Sequence, residues 1–227
     1  MQFEKLPSHL VIIPDGNRRW AKEKSLPSFL GHREGYKRVE EIVQEAKDIG
    51  ISHVTVWAFS TENWKRNENE KEELFSLITQ GLRLFHENIL KKKSRFVHFG
   101  RKDRLGDDLR ALITTLEDET KEYSTFTLSV AIDYGGEDEV VRASDALKRS
   151  GDISKTIYDF LDTKEKNIPP PDFIIRTSGE KRTSGFMPLQ SLYSEWYFSE
   201  KHFPDFGIKE LYEALNDYKC RERRRGK

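Results

Sequence analysis

Asp15 stands between Pro14 and Gly16 and is followed by Asn17, Arg18, Arg19 and Trp20, directly after the apolar run Leu10–Ile13. The run has the length and composition of a buried strand. A carboxylate beside two guanidiniums at the end of such a strand is costly unless a partner binds there. The chemistry that fits is a polyanion, with arginines on phosphate oxygens and the aspartate on a divalent cation between them. Gly16 and Asn17 suit a tight turn through which backbone N–H groups approach a ligand. A plain strand-to-helix turn with a capping aspartate fits the same letters, since short motifs recur by chance.

A second stretch narrows the choice. Phe173–Ile175 is again apolar and delivers Arg176 at its end, followed by Thr177, Ser178, Gly179, Arg182 and Ser184. Two arginines and several hydroxyls around glycines form a second anion cradle. Glu195 comes in the next apolar-aromatic segment, too late to belong to that cradle. Two cradles on one chain accommodate two phosphorylated substrates side by side.

With these residues the chain resembles the cis-prenyltransferases, the isoprenyl transferase family of undecaprenyl diphosphate synthase. Five blocks carry the likeness: His9–Lys22 with its Asp-Gly-Asn-Arg-Arg-Trp-Ala, Gly31-His32, Ala58 to Trp64 with Arg66, Tyr134-Gly135-Gly136, and Ile175–Phe206. They keep the family's order from about residue 9 to the C-terminus.

The resemblance implies condensation of isopentenyl diphosphate with an allylic prenyl diphosphate, forming a cis double bond with Mg2+ as cofactor. It makes Asp15 the essential carboxylate on the metal. Gly16, Asn17, Arg18, Arg19 and Trp20 would receive the allylic diphosphate, with His32 and Arg66 reaching the same region. Phe59 and Trp64 join the substrate-binding set. Ser60 and Asn63 would face the reacting centre, where one of them helps remove the proton. Arg176, Arg182 and Ser184 would bind the diphosphate of isopentenyl diphosphate, and Glu195 matches the family's second acidic residue at the metal. The tail carries Arg224-Arg225-Gly226, which matches an Arg-X-Gly motif that reaches across a homodimer. By composition alone that tail is a solvated basic end or a weak nucleic-acid patch. Four positions depart from the family's usual pattern: Ser28 where an arginine is common, Asp133 and Glu137 flanking Tyr134-Gly135-Gly136, and Lys181 in place of a frequent histidine. They bear on the choice of allylic substrate more than on the reaction. Two other readings within the family are a non-catalytic partner subunit and a synthase making irregular, branched linkages. Retention of Asp15, the arginines and the block Phe59–Trp64 argues against both.

Positioning these residues falls to alternating strands and helices. Strand-type runs lie at Leu10–Ile13, Val54–Phe59, Phe96–Phe99, Phe126–Ile132 and Phe173–Ile175. Helical stripes run from Tyr36 to Ile49, from Leu74 to Ile89, from Leu105 to Leu116 and from Tyr212 to Tyr218. The pattern predicts an α/β single domain over 1–227, with a mainly parallel central sheet flanked by helices. Ligands bind such sheets beyond the carboxyl ends of the strands, where both cradles fall. The stripe Leu74–Ile89 is by itself an ordinary core helix. The resemblance makes it the wall of a hydrophobic tunnel, with Phe75, Leu77, Ile78 and Leu82 lining it and Phe126 and Ile132 opposite.

Lysine plus arginine number 39 and aspartate plus glutamate 39, so charge gives no reason to expect nucleic acid. The single cysteine, Cys220, excludes an intramolecular disulfide and a cysteine-rich metal site. No segment approaches the ~20 apolar residues that cross a bilayer, and a cytoplasmic protein with at most peripheral membrane contact is expected.

Overall fold

In the computed structural model, which describes residues 5–222, the apolar runs pair as one parallel sheet. Its strands are β1 (His9–Ile13), β2 (His53–Ser60), β3 (Arg95–Phe99), β4 (Thr127–Tyr134), β5 (Phe173–Arg176) and β6 (Glu195–Phe198). The order across the sheet is β3-β4-β2-β1-β5-β6, with every adjacent pair parallel. The helices are α1 (Asn17–Glu23), α2 (Ser28–Asp48), α3 (Glu68–Lys91), α4 (Asp107–Thr120), α5 (Gly136–Ser150), α6 (Asp162–Glu165) and α7 (Ile208–Cys220).

Parallel strands covered on both faces read as unbroken apolar runs, and β1 is buried at all five positions. One face packs Leu10, Ile12, Val54, Val56 and Leu128 against Ile42, Val43 and Ala46 of α2 and Leu211 and Leu215 of α7. Phe59, Phe96 and Ile132 on that side meet Leu74, Leu82 and Ile89 of α3 and Leu109, Ile113 and Leu116 of α4. The opposite face sets Val11, Ile13, Ile174 and Ala131 against Ile168, Phe186 and Met187.

Three elements lie outside the expected pattern. The edge strand β6 has a charged first residue and no alternation, and all four of its residues are half-buried. Helix α5 opens on Glu137, Asp138 and Glu139, and the residues it buries are the small or polar Gly136, Glu139 and Ala143 rather than a run of large apolar side chains. Helix α2 begins at Ser28, not near Tyr36, so His32 is a helical residue rather than part of a loop.

Strand register shapes the carboxyl edge. Ile13 of β1 pairs with Arg176 of β5, so the segment after β1 emerges beside that arginine. Strand β2 pairs Val56 with Ile12 and then runs on to Ser60, with an irregularity against β4 between Trp57 and Ser60. It therefore overhangs β1 and forms one wall of a notch above Pro14 and Asp15.

Candidate active site

The notch is a cleft of about 520 Å³ whose walls include Asp15, Asn17, His32, Phe59, Ser60, Asn63, Arg66, Arg176, Arg182 and Ser184. A contiguous cleft of about 390 Å³ adds Gly16, Arg18, Arg19 and Glu180 and shares Asp15, His32, Arg66 and Arg182. The structure thus gathers most of the sequence-predicted site residues from four separate stretches of chain.

Asp15 lies where the two clefts join. Its Oδ2 accepts from Arg176 Nη2 at 2.9 Å and its Oδ1 from Arg19 Nη2 at 3.1 Å. Burial works to raise the Asp15 pKa, but the hydrogen bonds and charges of Arg176 and Arg19 outweigh it and hold the carboxyl below its ordinary value. The group is an anion at neutral pH. The turn beneath it requires glycine: Gly16 has φ 99°, and a Cβ there would meet Ser178 Oγ at 2.4 Å and His202 Nδ1 at 2.6 Å. That close pair is held by Ser178 Oγ and His202 Nδ1 at 2.6 Å, with His202 Nε2 on Glu23 Oε1 at 2.9 Å.

Arginines surround the carboxylate, each with an acidic partner. Arg66 Nη1 and Arg18 Nη1 lie 2.9 and 3.4 Å from the same Glu70 oxygen. Burial lowers the Arg66 pKa, and the neighbouring charge of Arg18 adds to it. Arg176 is only 4% exposed and donates from Nη1 to Ser184 Oγ at 2.8 Å. His32 is pushed down to about 4, first by burial and then by the charges of Arg66 and Arg18, so its imidazole is neutral.

Among the described residues, four buried side-chain polar atoms have no hydrogen-bond partner: Asn17 Oδ1, His32 Nε2, Arg176 Nε and Gln190 Oε1. The first three belong to residues that line the larger cleft. Unsatisfied buried polar atoms are rare in folded proteins, and their concentration at one place is the mark of a ligand site. Asn17 is pressed into position by α2, whose Gly31 and Gly35 would each clash with it if they carried a Cβ.

An apolar cavity of about 110 Å³ opens off the cleft at Pro14, Asn17, His32, Ala58 and Leu74 and runs between α2, α3 and the sheet. Leu77, Ile78 and Leu82 line it, as expected, together with Tyr36, Val39, Phe85, Leu128 and Val130. Phe75, Phe126 and Ile132 do not. Phe75 stacks between Phe59 and Trp64 at 4.6 and 5.4 Å. Ile132 is fully buried against α3 and α4. Phe126 precedes β4 and lines a different cavity of about 460 Å³, which shares Phe85 and Leu128 with the first and is rimmed by Lys37, Lys47 and Lys92. Phe126, Leu128, Val130 and Ile132 alternate along the chain, but the cavity closes before Phe126, at Phe85 and Leu128.

Two expected substrate-binding tryptophans serve as braces. Trp20 Nε1 donates to Asp205 at 2.8 Å, and Trp64 Nε1 donates to Asp133 at 2.7 Å. Asp133 is fully buried and also receives Arg104 Nε at 2.7 Å, so its departure from the family pattern is matched by an ion pair. Glu195 is not brought to this edge. It opens β6 level with Phe173, at the far end of the strand from Arg176, and its carboxylate accepts from Arg221 at 3.0 Å. Sequence reasoning passed over Glu70 and Glu180, because acids inside an anion cradle read as counterproductive until their arginine partners are seen.

For a metal, the fit rests on Asp15 alone. Among the described residues no three acidic, histidine or cysteine side chains cluster to cage a cation. Mg2+ commonly takes one or two carboxylates and completes its shell with substrate phosphates and water, so a lone carboxylate amid phosphate-binding arginines suits that ion.

The fold and the cleft define an α/β protein with an arginine-lined carboxyl edge beside an apolar cavity. Residues 13–226 match the prenyltransferase family described as undecaprenyl diphosphate synthase. Isoprenyl transferases of Aquifex pyrophilus and Fusobacterium nucleatum are each 40% identical, with 98% of this chain and 97% of each relative covered. A crystal structure of lavandulyl diphosphate synthase from Lavandula x intermedia with dimethylallyl diphosphate superposes with a TM-score of 0.92 at 31% identity, covering 97% of this chain and 98% of that one. A probable undecaprenyl diphosphate synthase from Campylobacter jejuni gives 0.81 at 30%, covering 98% and 100%. The chain belongs to the isoprenyl transferase family and is a prenyl-transferring enzyme. No helix among the described residues is long and apolar enough to cross a membrane.

Proposed function

We propose that the enzyme condenses isopentenyl diphosphate with an allylic prenyl diphosphate to give a longer prenyl diphosphate with a cis double bond. The observation that carries this reading is Asp15 at the junction of two arginine-lined clefts, with an apolar cavity opening from the same place. Two diphosphates and one growing hydrocarbon need those three spaces.

In this reading Gly16, Asn17, Arg18, Arg19, His32 and Arg66 receive the allylic diphosphate. Charge builds on that group as it departs, and the arginines stabilise it without having to reorganise. Mg2+ held by Asp15 and diphosphate oxygens would add charge neutralisation at the leaving group. His32, being neutral, contributes a hydrogen bond without altering the charge balance. Arg176, Arg182 and Ser184 hold the second diphosphate so that the double bond of isopentenyl diphosphate faces the allylic carbon. Ser60 and Asn63 line the larger cleft, and their local turn is held by Asn63 Oδ1 accepting from the Ser60 N–H at 3.0 Å. Each added methylene that leaves water for the cavity contributes ~0.8 kcal/mol.

A homodimer in the cytoplasm, with Arg224-Arg225-Gly226 reaching a partner's substrate, completes the proposal; that motif lies outside the described residues. Glu195 would take part in metal binding only through such an assembly, since the fold separates it from Asp15 within one chain. The likeness to lavandulyl diphosphate synthase favours a second reading, an irregular coupling of short allylic diphosphates. Incubating the purified enzyme and Mg2+ with radiolabelled isopentenyl diphosphate and a panel of allylic starters separates them. Linear products that incorporate label and lengthen in five-carbon steps support the first. Branched products from dimethylallyl diphosphate alone support the second, and no product with any starter sinks both.

A further inference from the structure

Glu180, in the loop between β5 and β6, has no role in the scheme above, yet it touches both cradles. Arg19 Nη1 donates to its Oε1 at 2.6 Å, and Arg182 Nη1 donates to its Oε2. Arg19 also reaches Asp15, and Asp15 reaches Arg176, so the order Arg182–Glu180–Arg19–Asp15–Arg176 alternates in sign. Arg176 Nη1 donating to the Arg182 carbonyl at 2.5 Å closes the circuit. The Glu180 side chain is 20% exposed and forms part of the wall of the smaller cleft.

The two arginines come from elements far apart in sequence, α1 and the loop after β5. Nothing in the local structure of either fixes its distance from the other, and the Glu180 carboxylate does so by offering one oxygen to each. A terminal phosphate group presents oxygens to guanidinium forks in a similar way and with more charge. A guanidinium keeps its charge and its donors, so whichever anion is present accepts from it.

We infer that Glu180 is a shared counter-anion for the two cradles. It holds Arg19 and Arg182 in place while no diphosphate is bound, yields each to the diphosphate that enters its cradle, and retakes Arg19 as inorganic diphosphate leaves and Arg182 as the lengthened prenyl diphosphate leaves. Such an exchange keeps the two arginines spaced between turnovers and shortens the stay of the released diphosphates. The inference rests on the proposal that the cleft takes diphosphates, and its test can fail separately.

Calorimetric titration of inorganic pyrophosphate into wild-type protein and Glu180→Gln decides the matter. Glutamine keeps the size of the side chain and removes the competing charge. Pyrophosphate binds the variant roughly tenfold more tightly, the scale set by losing two partly screened ion pairs, and the gap narrows as salt is raised. In steady state kcat and KM fall together because product lingers. Glu180→Ala repeats the tightening, and unchanged melting temperatures confirm that both variants are folded. Equal or weaker pyrophosphate binding by both folded variants overturns the exchange and leaves Glu180 as a brace. Absence of pyrophosphate binding by wild-type protein overturns the diphosphate reading of the cleft itself.

Discussion

The polar cleft and the apolar cavity share residues at their junction but are held together by opposite means. At the polar end, Arg18, Arg19, Arg66, Arg176 and Arg182 are spaced by Glu70, Glu180 and Asp15, each carboxylate serving two guanidiniums. At the apolar end, Tyr36, Phe85 and Leu128 close the space by packing, with no charged group among them. Tyr36 lies edge-on to Phe85 at 5.8 Å and anchors its hydroxyl on the Gly81 carbonyl at 2.7 Å. Gly81 has to be glycine, because a Cβ would sit 2.2 Å from the Tyr36 ring. Charge is therefore the controlled quantity at one end and volume at the other. The first should govern whether reaction occurs, and the second how far it proceeds.

The comparison breaks most decisively at Asp15. Asp15→Ala should lower kcat by roughly a hundred- to a thousandfold, the scale for losing one preorganised electrostatic group. The fold should survive with a lowered melting temperature, since the buried Arg176 guanidinium loses its carboxylate partner. Turnover near the wild-type value in the presence of Mg2+ would remove Asp15 from the centre of the scheme.

Arg176 and Arg182 sharpen the polar side. Arg176 is buried, so Arg176→Ala should weaken isopentenyl diphosphate by roughly tenfold to over a hundredfold, the range expected for a charged hydrogen bond worth ~1.5–3 kcal/mol. The Arg182 side chain is 63% exposed, and its alanine variant should cost only a few-fold, as screened ion pairs do. Separate KM values for the two substrates test this. Equal damage to the allylic substrate would count against two cradles.

At the apolar end the informative pair is Phe85→Ala and Phe126→Ala. If volume is limiting, Phe85→Ala joins the 110 Å³ and 460 Å³ cavities, and the longest products grow. Phe126 is 3% exposed, and its removal should cost about 3–5 kcal/mol of stability while the product ladder stays put. A ladder that shifts with Phe126 and not with Phe85 would move the limiting wall deeper.

The smallest effect concerns His32. Its pKa of about 4 lies below the ordinary histidine value of 6.5, so the folded protein binds fewer protons than the unfolded chain between those limits. The stability due to a neutral His32 is complete above 6.5 and is lost as pH falls toward 4. Pyrophosphate should raise that pKa by offsetting Arg66 and Arg18, which imidazole NMR titration would register. No movement on saturation would place the anion away from His32.

Much of the polar site was legible because its residues are consecutive. Asp15 to Arg19 and Arg176 to Ser184 follow apolar runs, and strand ends in a parallel sheet converge on one edge. Glu180 was in view but uninterpretable, because the use of an acid there depends on an arginine from α1. Glu195 is the converse case: its family role is tied to a motif, whereas its place in one chain depends on where β6 starts against β5. The length of the cavity could not be read from the Leu74–Ile89 stripe or the alternation from Phe126 to Ile132. Periodicity reports which face a side chain takes, not which of several layers it reaches.

The sequence by itself determined the local chemistry: which strands are buried, which turns need glycine, and that two groups of arginines follow strand ends. Those are short-range consequences of side-chain type and spacing. Tertiary structure decided the rest, namely that Arg19 and Arg182 share one carboxylate, that Tyr36 of α2 meets Phe85 of α3, and that Glu195 lies at the wrong end of its strand for Asp15. Each depends on strand register and helix packing between segments tens of residues apart, which no local pattern encodes.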